Sequence, residues 1–136
     1  MVRPRGVAVT AVDPAGPAAK RGIVAGTRLL RINGLPVRDE LDLIFYSATG
    51  RLKIEFLDLG GNVREVSVAK SIDKHLGIEI EPLRPRRCRN RCIFCFIDQN
   101  PPGLRSTLYV KDEDLRLSFT HGHYITTTSL QPADLK

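Results

Sequence analysis

The residues best suited to chemistry are three cysteines, Cys88, Cys92 and Cys95, which are the only cysteines of the 136-residue chain. Their spacing, Cys-x3-Cys-x2-Cys, gathers three thiols in one short segment, and thiolates are the usual ligands of iron–sulfur clusters. A [4Fe–4S] cluster held by three cysteines keeps one iron without a protein thiolate, and that iron is open to a substrate or cofactor. The spacing therefore favours a metal centre with these cysteines as ligands.

A zinc site is the main alternative. Structural zinc takes four ligands in a tetrahedron, so a histidine would have to complete the set. His121 and His123 are the candidates, and they would share one face if their segment were extended. Three unpaired structural thiols are a further alternative, whereas a disulfide fits poorly because nothing around the segment indicates secretion.

The chain around the cysteines is basic, within a protein of net charge +6. No acidic residue lies among residues 82–91. A run of this kind is usually a solvated face. A second interpretation is support of metal binding, because positive charge favours thiolates and offsets the negative charge of a cluster. Nucleic acid is not the favoured partner, because no aromatic residues that would stack on bases are interleaved with the arginines. The arginines are Arg84, Arg86, Arg87, Arg89 and Arg91.

The composition is that of a globular protein, with 42% hydrophobic residues. The sequence contains no apolar run long enough to cross a bilayer, and residues 1–5 are followed by no signal-peptide core. Together with the clustered thiols, this predicts a cytoplasmic protein without a membrane partner.

The elements that must position the cysteines begin with a small unit rich in strands. Residues 7–12 and 26–32 have strand-like patterns. Between them, a helical turn begins at Pro17 and ends at Gly22. Asn33-Gly34 predicts a tight turn, because both residues tolerate positive φ.

A helix over residues 39–49, capped by Asp39, precedes a predicted β-hairpin over residues 51–69. The helix carries apolar residues at positions i, i+3, i+4 and i+7, which define one face. We expect that face to pack on the hairpin through Ile44 and Phe45, against Ile54 and Phe56. The apolar helix residues are Leu41, Ile44, Phe45 and Ala48.

This order of elements resembles a bacterial PDZ domain over about residues 6–81. The resemblance is carried by Gly16-Pro-Ala-Ala-Lys-Arg-Gly22 and by Gly26-Thr-Arg-Leu-Leu-Arg-Ile-Asn-Gly34. Thr27 stands where many PDZ domains have aspartate. The resemblance implies an α+β fold, a partly open β-barrel or sandwich with a packed helix.

PDZ domains bind peptides by adding a strand beside a helix, and a glycine-containing loop receives the C-terminal carboxylate. The candidate loop here leads into a strand over residues 76–80, which gives a permuted order with the binding strand last. Leu76, Gly77 and Ile78 are therefore the candidate peptide-binding residues, in a groove beside the 39–49 helix. Alternatively, the strand only closes the edge of the sheet.

Two prolines within residues 81–85 predict a boundary between domains 1–81 and 82–136. Beyond the cysteines, we favour a solvated turn over a helix start for Asp112-Glu113-Asp114. Residues 124–130, rich in threonine, are predicted to form a strand.

The cysteine segment closely matches a bacterial family with an N-terminal PDZ domain, a radical S-adenosylmethionine (SAM) core and a C-terminal domain of unknown function. The resemblance implies an Fe–S oxidoreductase-like protein whose open iron chelates SAM and whose cluster drives release of a 5′-deoxyadenosyl radical. It also suggests Phe94 as a contact for the SAM adenine. Departures at residues 120–123 put any substrate role there in doubt. The matching segments are Cys88–Gln99, Pro102–Arg105, Leu108–Asp112 and Arg116–Phe119.

A radical SAM (β/α) barrel takes roughly 200 residues or more, and only residues 82–136 follow the predicted boundary. We therefore expect the truncated start of a barrel, too short for activity alone. The favoured function is the N-terminal part of a radical SAM Fe–S oxidoreductase-like protein acting on an unknown substrate. The alternative is a PDZ module that binds a peptide or protein C-terminus and carries a structural zinc or incidental metal site.

Overall fold

The computed structural model describes residues 6–135. The chain divides between Leu83 and Arg84 into two units. The described residues contain an open antiparallel sheet and two α-helices, which confirms the predicted α+β class. No helix within residues 6–135 is long and apolar enough to span a membrane.

Strands make up most of the first unit. Its elements are β1 (Val7–Val12), a 3-10 turn (Ala19–Arg21), β2 (Arg28–Ile32), β3 (Leu35–Pro36), α1 (Glu40–Tyr46), β4 (Arg51–Leu57), β5 (Val63–Ala69) and β6 (Ile78–Ile80). The strands lie in the order β5-β4-β2-β1-β6, with β3 paired to β2, and each pairing is antiparallel. Strand β6 therefore lies at one edge of the sheet, beside β1.

The core forms on one face of this sheet. Leu52, Ile54 and Phe56 of β4 are buried, while the alternate residue Lys53 is exposed, as expected for a strand with one buried face. Burying a side chain of this kind contributes about 1.5–3 kcal/mol. Other buried members of the core are Val7, Val9, Ala18, Ile23, Leu29, Ile32, Val37, Leu43, Val68 and Leu76.

The predicted hairpin and the predicted tight turn are confirmed. Strands β4 and β5 pair along their whole length without a register shift, as predicted for residues 51–69. At the hairpin turn, the Asp58 carboxylate accepts a hydrogen bond from the Asn62 amide at 2.9 Å. Asn33 and Gly34 have φ values of 51° and 80°, the left-handed conformation that the turn requires.

Helix α1 begins where the sequence predicts, but its predicted packing face is wrong. The Asp39 carboxylate accepts hydrogen bonds from the amides of Leu41 and Asp42, which confirms the cap. The Ile44 and Phe45 side chains, however, are 59% and 77% exposed, so they do not form the expected packing on the hairpin.

The buried face of α1 includes two acidic residues, which is why hydrophobicity alone located it wrongly. Asp39, Asp42, Leu43 and Tyr46 have the i, i+3, i+4, i+7 spacing of one helix face, and the first three are buried. Asp42 is satisfied there because it accepts hydrogen bonds from the Arg38 amide at 3.0 Å and from Arg38 Nε at 2.8 Å.

The second unit is largely irregular between its short elements. These are a 3-10 turn (Ser106–Tyr109), α2 (Leu115–His121) and a 3-10 turn (Pro132–Leu135). Asp114 caps α2 through a bond from the Arg116 amide, and Gly122 ends the helix with φ 68°. The solvated turn predicted at residues 112–114 is therefore wrong, since Glu113 and Asp114 are only 5% and 1% exposed.

The strand predicted over residues 124–130 is also absent from the structure, which describes that whole segment. Thr127 has φ 62°, a left-handed conformation that interrupts an extended chain. Its neighbour Thr126 bonds through both its amide and its hydroxyl to the buried Glu113 carboxylate, at 2.9 and 2.7 Å. These side-chain bonds hold the segment in place of strand pairing.

Candidate metal centre

The three cysteines lie in a loop without helix or strand. All three are free thiols and half-buried. The Cys95 amide donates to the Cys92 carbonyl at 3.1 Å, and the Gln99 amide donates to the Cys95 carbonyl at 3.1 Å. Cys92 and Cys95 therefore belong to consecutive tight turns, which an x2 spacer allows.

Cys88 is held by backbone pairing with residues that follow the loop. Its amide donates to the Lys111 carbonyl at 2.7 Å, and the Glu113 amide donates to the Arg86 carbonyl at the same distance. Arg87 and Asp112 form an antiparallel bridge between these two bonds. The position of the Cys88 backbone is thus fixed by main-chain contacts distant in sequence.

Lys111 places a cation beside the cysteines. Its ammonium group forms an ion pair with the carboxylate of Asp98, which lies three residues after Cys95. The hydrogen bond to Asp98 is the main cause of a raised pKa of Lys111, and the charges of Cys95 and Cys88 contribute in the same direction. Lys111 is not predicted from the sequence, because an isolated lysine well beyond the cysteines carries no signal of its own.

Asp114 fastens the segment before Cys88 to the start of α2. It accepts a hydrogen bond from the Arg86 amide at 3.0 Å and pairs with the Arg116 guanidinium at 2.9 Å. Burial alone would raise the pKa of Asp114, but the bonds from Arg116 and from the Arg86 amide outweigh it and lower the pKa to about 2. The carboxylate is therefore charged at neutral pH.

The donor chemistry of the loop fits an iron–sulfur cluster, although the side chains are not assembled as a ligand group. Three free, half-buried thiols in one irregular loop are the donors that such a cluster takes. Within residues 6–135, however, no group of three or more histidine, cysteine, aspartate or glutamate side chains is arranged to hold a metal ion. The ligand set of Cys88, Cys92 and Cys95 therefore stays a prediction.

The two histidine rings lie near each other, with centroids 5.7 Å apart, although their segment is not extended as the prediction assumed. His121 is the last residue of α2, and the left-handed Gly122 separates it from His123. His121 Nδ1 lies 2.7 Å from the Thr120 hydroxyl, whereas His123 Nδ1 lies 2.8 Å from Asp112 Oδ2. Each imidazole thus has a partner other than a cysteine.

Phe94, the suggested adenine contact, is 76% exposed, and its neighbour Ile93 is 95% exposed. The turn between Cys92 and Cys95 therefore presents two large apolar side chains to solvent. A flat aromatic face of this kind is available for stacking, but the adenine contact stays a prediction.

Of the residues predicted to bind a peptide, Ile78 begins the edge strand β6, and Leu76 and Gly77 directly precede it. Leu76 is buried, and its carbonyl accepts from the Ala18 amide at 3.3 Å. The Asp13 amide donates to the Gly77 carbonyl at 2.9 Å, beside the Val12–Ile78 pair.

That bond makes Val12–Ile78 a pair without mutual hydrogen bonds. In an antiparallel ladder, the N–H and C=O groups of such a residue point away from the partner strand. The backbone of Ile78 therefore faces the open side of β6. Gly77 has φ 78°, which suits glycine, and Asp13 Cβ lies 3.2 Å from where a Cβ would stand.

Three similar solved structures come from Listeria proteins, and two of them are PDZ domains. The PDZ domain of an SdrC-like protein from Listeria monocytogenes is 26% identical; the match covers 59% of this chain and 92% of that one, with a TM-score of 0.48. That of an SdrC-like protein from Listeria innocua is 26% identical, with coverages of 58% and 97% and a TM-score of 0.48. The second domain of a Listeria protein is 28% identical, with coverages of 60% and 86% and a TM-score of 0.43.

Two family models match the chain, whereas no curated protein does. The PDZ domain model matches residues 8–55, and the radical SAM-like domain model matches residues 70–136. The second match includes β6 of the first unit as well as all three cysteines. The chain thus carries a PDZ domain and a radical SAM-like domain, the two domains that begin the PDZ-plus-radical-SAM family its motifs resemble.

Proposed function

We propose that this chain supplies the cluster-binding part of a radical SAM enzyme of the Fe–S oxidoreductase-like type, with Cys88, Cys92 and Cys95 as the protein ligands of a [4Fe–4S] cluster. One observation carries the proposal: the only thiols of the chain are free, half-buried and confined to one loop of the radical SAM-like domain. When bound, such a cluster supplies the electron for reductive cleavage of SAM. Free thiols also suit the reducing cytoplasm, where we place the protein.

The chain's own residues would contribute position and charge. The backbone pairing of Cys88 with Lys111 fixes one end of the loop, and a hydrogen-bonded turn joins Cys92 to Cys95. The Lys111 ammonium would supply positive charge near the proposed thiolate ligands. The exposed ring of Phe94 is our candidate for holding the SAM adenine by stacking.

Anaerobic reconstitution with iron and sulfide tests the proposal. We expect a brown protein with about four iron and four sulfide per chain, the content of one [4Fe–4S] cluster. Each of Cys88→Ser, Cys92→Ser and Cys95→Ser should lose most of this content. His121→Ala and His123→Ala are the matched controls and should retain it.

A zinc site would need a different set of ligands, with a histidine beside the three cysteines. If the purified chain binds one tetrahedral zinc, and loss of His121 or His123 abolishes binding as fully as loss of a cysteine, the site is a Cys3His zinc site. That result would contradict the cluster assignment and leave the PDZ domain as the functional part of the chain.

A second candidate function is peptide binding by the PDZ domain. It is favoured by the open edge of β6, where the N–H and C=O of Ile78 are directed away from β1. A bound peptide would extend the sheet there, and the loop at Leu76 and Gly77 would receive its C-terminal carboxylate. The groove beside α1 is the proposed place for its side chains.

A fluorescent hexapeptide ending in valine tests this function, and its C-terminal amide is the control. Binding should be lost on amidation, because the carboxylate carries the recognition. Gly77→Val should also abolish it. Equal binding of the acid and amide forms would contradict recognition at this loop.

A further inference from the structure

A polar cavity of about 480 Å³, wide open to solvent and lined mostly by exposed side chains, lies in the second unit between the segment around Cys88 and the segment that ends at Gln131. Its volume is within the range of small-molecule sites, about 300–1,000 Å³. The lining contains three arginines and four neutral hydrogen-bonding side chains, with neither an acidic nor an aromatic residue. The lining residues are Arg86, Arg87, Arg89, Asn90, Thr128, Ser129 and Gln131.

Two of the three arginines form no ion pair within the part of the chain that the structure describes. The Arg86 guanidinium donates two bonds to the Asp134 carboxylate, at 2.6 and 2.7 Å, so its charge is matched. The guanidinium groups of Arg87 and Arg89 have no hydrogen-bond or ion-pair partner within the described residues 6–135. Both nevertheless line the same cavity.

Two polar side chains of the lining, those of Asn90 and Thr128, are joined by hydrogen bonds. Asn90 Nδ2 donates to the Thr128 hydroxyl at 2.9 Å, and the Thr128 and Thr126 hydroxyls lie 2.9 Å apart. Thr126 in turn bonds to the buried Glu113 carboxylate. This network of hydrogen bonds joins the segment at Asn90 to the segment at Thr128 in the absence of a ligand.

We propose that this cavity binds the phosphate group of a small phosphate monoester. A guanidinium donates two parallel hydrogen bonds to phosphate oxygens, and Arg87 and Arg89 together match the two negative charges of a monoester. The hydroxyl of Ser129 and the amide of Gln131 supply further donors. The lining includes none of the cysteines, so this site goes beyond the proposed cluster and does not depend on it.

A small ligand is favoured over a nucleic acid by the lining itself. Single-stranded nucleic acids are bound by a basic groove together with aromatic side chains on which the bases stack. No aromatic residue lines this cavity. Its arginines are instead combined with hydroxyl and amide groups suited to one compact anion.

The test uses the whole 136-residue chain, labelled with ¹⁵N and titrated with phenyl phosphate at constant ionic strength. We expect the amide signals of residues 86–90 and 128–131 to shift. Arg87→Gln and Arg89→Gln should each weaken binding about tenfold, the usual worth of one charge-assisted contact. Arg84→Gln removes the same charge outside the lining and should change the Kd less than about twofold.

Three results would overturn the proposal. Equal weakening by Arg84→Gln and Arg87→Gln would show that net charge alone attracts the anion. Inorganic phosphate binding as tightly as phenyl phosphate would exclude a monoester as the ligand. Tighter binding of an oligothymidylate, again lost in Arg87→Gln, would identify a nucleic-acid surface. The amide spectra show whether each variant is folded, and the iron content separates failure here from failure of the cluster.

Discussion

The backbone amide of Cys88 donates to the carbonyl oxygen of Lys111 at 2.7 Å. The same lysine directs its ammonium group to Asp98, which follows the last cysteine, and the charges of Cys88 and Cys95 act on it. One residue thus both fixes the first cysteine and places a cation beside the loop. Mutation of Lys111 can therefore test whether its positive charge affects a cluster bound to these cysteines.

Lys111→Gln should make the midpoint potential of the reconstituted cluster more negative. Removing a positive charge disfavours the reduced cluster, which carries the extra electron. The shift should be small, because solvent screens a charge at the surface. Lys111→Arg keeps the charge and is the control in a redox titration. A shift to a more positive potential would contradict the role given to Lys111.

Asp114→Ala should destabilise the second unit by about 2–3 kcal/mol. The change removes the cap of α2 and leaves the Arg116 guanidinium without its buried partner. Urea denaturation followed through the amide signals of residues 115–121 measures the loss. Asp58→Ala, in the hairpin turn of the first unit, is the control and should leave these signals unchanged. A loss below about 0.5 kcal/mol would show that the carboxylate does not anchor this unit.

The same carboxylate predicts a dependence of stability on pH. The pKa of Asp114 is about 2 in the folded chain against an ordinary value of 3.8, so the charged form is the one that folding favours. Its contribution is complete above about pH 5 and is lost as the pH falls through about 2. The stability difference between the wild type and Asp114→Asn should therefore shrink between these values. A difference that stays constant would contradict the lowered pKa.

Replacing either of two phenylalanines in the first unit by alanine should lower the free energy of unfolding by very different amounts. Phe56 is 2% exposed within the core, so Phe56→Ala should cost about 3–5 kcal/mol. Phe45 is 77% exposed, and Phe45→Ala should cost less than about 0.5 kcal/mol. Urea denaturation of both variants gives the comparison. A large loss for Phe45→Ala would mean that its ring is buried in solution.

Local sequence signals predicted much of the PDZ domain. Alternation at Ile54 and Phe56, the glycine at position 34 and the Asp39 cap each act within a few residues, and the structure confirms all of them. The packing face of α1 depends instead on Arg38, whose bonds to Asp42 allow an acidic residue to be buried. The spacing of hydrophobic residues contains no information about the hydrogen bonds from Arg38 to Asp42.

The second unit was harder to predict because contacts distant in sequence shape it. Glu113 and Asp114 are buried since Thr126 and Arg86 supply their hydrogen bonds, and no local pattern reveals those partners. Because Thr126 bonds to Glu113, residues 124–130 do not form the predicted strand. The cysteine spacing did indicate the candidate site, but the position of Lys111 beside it required the structure.

The most direct test of the central claim is the EPR spectrum of the reduced, reconstituted chain with and without excess SAM. If Cys88, Cys92 and Cys95 leave one iron open, SAM should change the g-values of the reduced [4Fe–4S] signal, while adenosine, which lacks the amino and carboxylate groups, should not. Each cysteine variant should lack the signal. A cluster whose spectrum is the same with SAM, with adenosine and with neither would contradict the account.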